Sequence, residues 1–156
     1  MVAAARAASG LPVFKPVGSG LLCVAWGTYT HATNLAAATA IEYCRVPKGA
    51  RIVGGYWCAT DIDTGTEELD IDIGYLANGV DAADTDAFGN LGVITGDVSV
   101  HLATGVPGIW IPFQNRLMTE GPIVLGAETV LAALVNVDAA TGGTGQSTMV
   151  AYYTVD

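Results

Sequence analysis

Charged side chains are scarce in this sequence, and basic ones are the scarcest. Charged residues make up 13% of the 156 residues, about half of the ~25% that is usual for globular proteins. Six are lysine or arginine, which form no stripe, and the formal net charge is −9. Recognition of phosphates and of anionic lipids depends on clustered basic residues. We therefore expect neither nucleic acid nor a membrane as a partner.

Long apolar runs are missing as well. No uninterrupted run approaches the ~18 residues that a membrane-spanning helix needs. Residues 1–18, MVAAARAASGLPVFKPVG, lack the apolar core of a secretory signal peptide, because Gly10, Pro12 and Pro16 interrupt them. We expect no membrane-spanning helix and no signal peptide.

Signatures of metal binding and nucleophilic catalysis are also absent. Cys23, Cys44 and Cys58 show no CxxC spacing and lie among apolar neighbours. This favours small buried thiols in a reducing cytoplasm over one disulfide with a spare thiol, and a zinc site lacks ligand spacing and histidine partners. His31 and His101 are the only histidines, and the sequence has no GxSxG elbow and no phosphate-binding loop. We expect exposed or hydrogen-bonded histidines, no cofactor and no enzymatic activity.

The sequence is rich instead in short apolar segments that turn residues separate about every ten positions. This spacing predicts an all-β, single-domain fold, a β-sandwich or jelly-roll-like structure of about eight strands. Pro112 should restrict its strand to a sheet edge. A short helix is predicted over 80–90, with Asp81 as N-cap and Gly89 at its end. The predicted strands cover 21–30, 41–46, 51–62, 67–75, 98–103, 108–113, 121–125, 129–137 and 148–155.

The N-terminal residues differ from the rest in pattern. Gly10, Pro12 and Pro16 prevent the alanines before them from extending a helix, and they favour an extended backbone. We expect residues 1–18 to form an extended arm, followed by a β-sandwich domain over 19–156. An apolar arm has little use on a monomer, so it is expected to lie along a neighbouring subunit.

The acidic residues are clustered in one part of the chain. Nine of the fifteen lie between Asp61 and Asp86. Within DIDTGTEELDIDIGY, 61–75, the strand predicted over 67–75 alternates apolar and acidic residues with period two, which is typical of a strand with one exposed face. We expect the acids to form that exposed face, with Leu69, Ile71 and Ile73 turned inward and Glu68, Asp70 and Asp72 outward.

Two other interpretations of the acidic segment stay open. A cation could bind at Asp61 and Asp63, or at Asp81, Asp84 and Asp86, although the glycine that an EF-hand needs comes one position early. A glycosidase carboxylate pair is the other alternative, but three tryptophans offer little for an aromatic cleft.

The segment from Ile41 to Asn90 carries a resemblance as a unit. A polar–apolar strand leads to VPKGARI, a long strand meets the turn DIDTGT, and LDIDIGY and DAADTDAF follow. This order resembles the capsid decoration, or cement, proteins of tailed bacteriophages. The resemblance implies a β-sandwich subunit, usually a homotrimer, on the exterior of the virion. There it would bind the major capsid protein and bridge neighbouring capsomers, with no catalytic residues.

The leading hypothesis is thus a structural virion protein that binds the outer surface of a phage capsid. The alternatives are a tail or head-fibre subunit and a calcium- or carbohydrate-binding β-sandwich module. So weakly charged a chain should expose an apolar contact surface. The candidate contact residues are Val13 and Phe14 in the arm and Trp110, Ile111 and Phe113 in the segment 108–113. For the last three, ordinary packing in the core is the alternative.

Overall fold

The computed structural model describes residues 2–4, 20–32, 36–60, 62–63, 66, 68–93, 108–139, 141–142 and 145–155. Val13, Phe14, His101 and the predicted strand over 98–103 lie outside these residues. So does most of the predicted arm, whose described part is a three-residue strand.

The described residues form ten strands and one short helix, which confirms the predicted all-β sandwich. In chain order they are β1 (Val2–Ala4), β2 (Cys23–His31), β3 (Ala40–Val46), β4 (Ala50–Thr60), β5 (Asp70–Tyr75), β6 (Asp84–Val93), β7 (Gly108–Pro112), α1 (Arg116–Thr119), β8 (Ile123–Val124), β9 (Thr129–Val137) and β10 (Gly145–Val155). No helix in this part of the chain has the length and apolar character needed to cross a bilayer.

The strands make two sheets that pack face to face. The first sheet has the order β1-β3-β9-β5-β6, and the second has the order β2-β10-β4-β7, with β8 pairing with β4 on the same edge as β7. Pairing is antiparallel except between β1 and β3. The core lies between the sheets, and its largest side chains come from both: Tyr43, Phe88 and Leu131 from the first, Trp57, Met149 and Tyr153 from the second.

Two strands show how local sequence sets position in a sheet. Thr129–Val137 forms β9 as predicted, and its nearly continuous apolar sequence suits the middle of the first sheet, between β3 and β5. Gly108–Pro112 forms β7 at the end of the second sheet, because Pro112 has no N–H to donate to a further strand.

The helix predicted over 80–90 is wrong, because this segment turns and then continues as strand β6. Asp81 does not cap a helix: its carboxylate accepts hydrogen bonds from Asn78 Nδ2 and from the N–H of Gly126, both at 2.7 Å. The Asn78 side-chain oxygen accepts the N–H groups of Val80 and Asp81. This Asx-type turn competes successfully with helix initiation.

The alternating strand is confirmed in pattern and corrected at one residue. Ile71 and Ile73 are fully buried in the core, and Asp70 is half-buried on the outer side of the sheet. Asp72 was expected on the exposed face, yet it is only 8% exposed. The reason is that β5 lies between β9 and β6, so neighbours flank the Asp72 side chain on both sides.

All three cysteines are free thiols. Cys44 is buried, and burial raises the pKa of its thiol to about 12. Cys23 and Cys58 are half-buried.

Candidate interaction surface on the second sheet

Part of the outer face of the second sheet carries apolar side chains where a solvated sandwich would carry polar ones, and the rest carries Thr28, Thr30, Gln146 and Thr148. Ala25, Met149 and Ala151 point into the core, so the residues that alternate with them on β2 and β10 point outward. The same alternation applies to β4 and β7. We call the resulting surface the apolar face and define it by Val24, Trp26, Tyr56, Trp110, Val150 and Tyr152.

Strand register arranges the apolar face in rows across the sheet. Trp26 pairs with Val150, which pairs with Tyr56 on its other side. Val24 pairs with Tyr152 in the next row. Cross-strand neighbours of this kind have Cβ atoms ~5 Å apart, so each row forms a continuous apolar strip.

Aromatic rings fill the middle of the apolar face. The Tyr56 ring lies 5.7 Å from the Trp110 ring and 6.5 Å from the Tyr152 ring, measured between centroids. Despite these contacts, Val24 is 45% exposed, Trp26 44% and Trp110 37%. Tryptophan and tyrosine are enriched at protein interfaces, where a partner completes their burial.

Charge is almost absent from this sheet. Arg51, near the start of β4, is the only charged residue in β2, β4, β7, β8 and β10. The strands of the first sheet contain Glu42, Arg45, Asp70, Asp72, Asp84 and Asp86. The two sheets therefore differ in what they can bind at their outer surfaces.

A buried polar network lies beneath the apolar face and joins the two sheets. His31 Nε2 lies 2.8 Å from Ser147 Oγ, and Ser147 Oγ lies 2.6 Å from Tyr43 Oη. Trp57 Nε1 donates to the same Tyr43 oxygen at 3.0 Å. Tyr43 belongs to β3 of the first sheet, and the other three belong to the second.

This network has the features of a structural connection. A serine beside a histidine is the arrangement of a nucleophile and its base. Here, however, His31 is 4% exposed, Ser147 is fully buried, and the four side chains include no carboxylate to orient the imidazole. Burial lowers the pKa of His31 from 6.5 to about 4, so the ring is neutral at pH 7.

Three of the five acidic residues that were predicted as possible cation ligands, Asp63, Asp81 and Asp84, have hydrogen-bond or ion-pair partners within the protein. Asp63 is buried, and its Oδ2 accepts the N–H groups of Glu68 and Leu69, both at 2.9 Å. Asp84 pairs with Arg116. Asp61 lies outside the described residues. Among the residues that are described, no three His, Cys, Asp or Glu side chains converge as metal ligands would.

The three described interface candidates occupy different environments. Trp110 lies on the apolar face. Ile111 is half-buried and lines a cleft of about 400 Å³ between β6 and β7, together with Phe88 and Gln114. Phe113 is only 8% exposed, and its ring stacks on that of Phe88 with centroids 4.5 Å apart. Core packing, the alternative that the sequence left open, describes Phe113 best. An interface role for the five candidates stays a prediction.

Sequence reasoning missed most of the apolar face. Val24 and Trp26 lie in LLCVAWGTYT, and Val150 and Tyr152 lie in TMVAYYTV, where both alternating sets of residues are largely uncharged. Such strands are expected to be buried on both sides. The predicted fold itself could have revealed the face, because a two-layer sandwich buries each strand on one side only and one of the two apolar sets must therefore point outward.

Fold and surface together define a two-sheet β-sandwich with one charged sheet and one nearly uncharged sheet. Neither a family model nor a curated protein matches the sequence. Solved structures do share the fold. A chain of the capsid of Ralstonia phage GP4 aligns over 100% of this chain and 99% of its own length, with a TM-score of 0.74 and 16% identity.

Two further capsid structures contain a similar chain. The cyanophage Pam1 capsid asymmetric unit gives a TM-score of 0.62 at 18% identity, over 96% of each chain. The acidic stable capsid of the Helicobacter pylori bacteriophage KHP30 gives 0.57 at 12% identity, over 88% of this chain and 90% of the other. This chain therefore has a fold that occurs in the capsids of three phages.

Proposed function

We propose that this chain is a structural virion protein that binds the outer surface of a phage capsid and bridges neighbouring capsomers, with the major capsid protein as its partner. The observation that carries the proposal is the shared fold with chains of three phage capsid structures, over 88% or more of this chain. The resemblance of residues 41–90 to capsid decoration proteins supports the same assignment.

The physical properties of the chain suit this role. A cement protein needs a rigid sandwich and contacts that symmetry repeats many times over the shell, so that individually weak sites become collectively strong. The buried inter-sheet network supports rigidity, and the apolar face offers a contact surface. The excess of acidic residues keeps so weakly charged a protein in solution.

The finer parts of the proposal concern assembly. We propose a homotrimer, with residues 1–18 as an arm along a neighbouring subunit and 19–156 as the sandwich domain. Val13 and Phe14 are the proposed contacts of that arm.

The test is binding to capsids that lack the protein. Purified chain is added to expanded capsids of its own phage, and the mixture is sedimented. We expect co-sedimentation at a saturating stoichiometry and a higher temperature of capsid disruption on heating. Unexpanded capsids serve as the matched control. Failure to bind expanded capsids, combined with recovery of the chain in purified tails, would assign it to the tail instead.

A further inference from the structure

We propose that the apolar face is the surface through which copies of this chain associate, so that its occupant is a second copy of the chain. The proposal deepens the homotrimer part of the proposed function, because it turns the apolar face of every copy towards the shared symmetry axis and names the residues that meet there. It can be tested without any capsid present.

Charge is the first argument for a second copy. Each chain carries a net charge of −9, so two copies repel wherever their carboxylates face each other. The strands that build the apolar face contain one charged residue, Arg51. Association through this face keeps the acids of the first sheet at a distance and removes almost no charge from water, which avoids a large desolvation cost.

The second argument is that polar groups on and beneath the apolar face already have hydrogen-bond partners within the chain. Thr28 Oγ1 and Thr148 Oγ1, next to the Trp26 and Val150 row, lie 2.9 Å apart and bond to each other. The backbone groups beneath the face are paired in the sheet ladder. A covering partner therefore meets a threonine pair and a backbone that are already hydrogen-bonded, and at these places the gain from burying aromatic and branched side chains is retained.

The size of the face also suits self-association. The whole outer side of the second sheet, which holds the apolar face and the threonines beside it, is a rectangle on the order of 500 Å², given strands ~4.8 Å apart and ~3.3 Å per residue. One partner in a standard interface contributes about 800 Å² of accessible surface. A corrugated face of aromatic side chains with its rim is of that order.

A partner of opposite charge fits the other sheet better. The first sheet presents Glu42 and Asp70 at its outer side, where a basic surface would find complementary charge. The apolar face offers such a partner no attraction of this kind. A like-charged copy, by contrast, is accommodated only where charge is missing.

The experiment measures the oligomeric state of the purified full chain by size-exclusion chromatography with light scattering over a range of concentrations. Trp26→Glu places a carboxylate on the face of every copy, and we expect the dissociation constant of the oligomer to rise at least ~100-fold. Val24→Glu is a second variant in the neighbouring row. Met118→Glu and Val80→Glu are matched controls, since these residues are 76% and 70% exposed but lie off the apolar face.

Two measurements separate loss of association from loss of folding. Circular dichroism and thermal unfolding should show that monomeric Trp26→Glu is folded. Mixing Trp26→Glu with Trp26→Lys should restore the oligomer, because opposite charges then meet across the interface. A wild-type chain that is monomeric at all concentrations overturns the proposal, as does a folded Trp26→Glu protein that associates like wild type. A monomeric wild type that binds capsids through Trp26 also overturns it, together with the proposed homotrimer, and leaves the proposed capsid binding standing.

Discussion

The two sheets share one core but have different outer surfaces. On the first sheet, Asp70 alternates with buried isoleucines, so the outer side is charged. On the second sheet, Trp26 and Val24 occupy the equivalent outward positions and remain 44% and 45% exposed. Both sheets satisfy the requirement for an apolar inner face equally well. The outer positions are therefore free to vary, and their difference reports on what each surface contacts.

The largest effect is expected from a comparison between the inner and outer sides of the second sheet. Trp57 is fully buried and donates a hydrogen bond to Tyr43 of the opposite sheet. Trp57→Ala should lower the free energy of unfolding by about 3–5 kcal/mol, because it leaves a cavity and removes one of the two hydrogen bonds of the Tyr43 hydroxyl. Trp26→Ala, on the outer side, should cost less than about 1 kcal/mol when folded monomer is compared. Urea unfolding measures both, and equal losses would refute the assignment of the two sides.

The second-largest effect is a loss of folding stability at acidic pH, which arises from His31 in the buried network between the sheets. The pKa of His31 is lowered from 6.5 to about 4 by burial, so the unfolded chain takes up its proton first as the pH falls. Stability from this group is complete above pH 6.5 and is lost as the pH falls towards 4. The difference of about 2.5 pH units corresponds to about 3 kcal/mol.

The matched variant for this effect is His31→Gln, which keeps a hydrogen-bonding group near Ser147 but does not titrate. Urea unfolding at pH 7, 5.5 and 4.5 should show a steep acid-induced loss for wild type and a shallower one for the variant. The Tyr43 hydroxyl, which also bonds to Ser147, stays neutral throughout this range because burial raises its pKa, so it does not contribute to the slope. Parallel pH profiles would show that other groups govern acid sensitivity.

Much of the fold could be predicted from the sequence, because half-buried strands show a period-two pattern and turns are marked by glycine, proline, asparagine and aspartate. Thr129–Val137 was predicted with its observed bounds, and Pro112 correctly indicated an edge strand. The region over 80–90 failed, because acids near Asp81 suit a helix start and an Asx turn equally well. What decided between the two was Gly126, 45 residues further along the chain, whose N–H bonds to Asp81.

The candidate surface was harder to predict than the fold. Trp110 was proposed as a contact residue and lies on the apolar face, but Trp26 and Tyr56 were missed. In their strands, the residues that point to one side of the sheet and those that point to the other are both largely apolar. A single sequence does not reveal which of the two groups faces the core. Register with neighbouring strands supplies that information, since Met149 and Ala151 lie inside and place Val150 outside.

A smaller effect on folding stability is expected at Asp72 of the first sheet, which was predicted to be exposed and is buried. Burial, as the largest cause, raises the pKa of Asp72; a hydrogen bond with Asn136 partly offsets this, and the nearby Asp70 and Asp86 raise the pKa further. At pH 7 the charged form therefore costs stability, and Asp72→Asn should stabilise the fold by about 1 kcal/mol. Because the folded pKa is the higher one, this gain should shrink as the pH is lowered and the wild-type carboxyl takes up a proton. Asp70→Asn, at a half-buried position, is the control and should change stability little.

The smallest effect tests whether charges on the first sheet contribute to stability at all. Arg45 on β3 and Glu128 form an ion pair with N and O atoms 2.9 Å apart, and their side chains are 32% and 48% exposed. Exposed pairs of this kind contribute ~0–1 kcal/mol, because water already solvates both charges and salt screens their attraction. A double-mutant cycle with Arg45→Ala and Glu128→Ala should give a coupling free energy below about 1 kcal/mol that falls further in 0.5 M salt. A coupling of several kcal/mol that salt leaves unchanged would mean that the charged sheet, like the apolar one, is held in a desolvated contact.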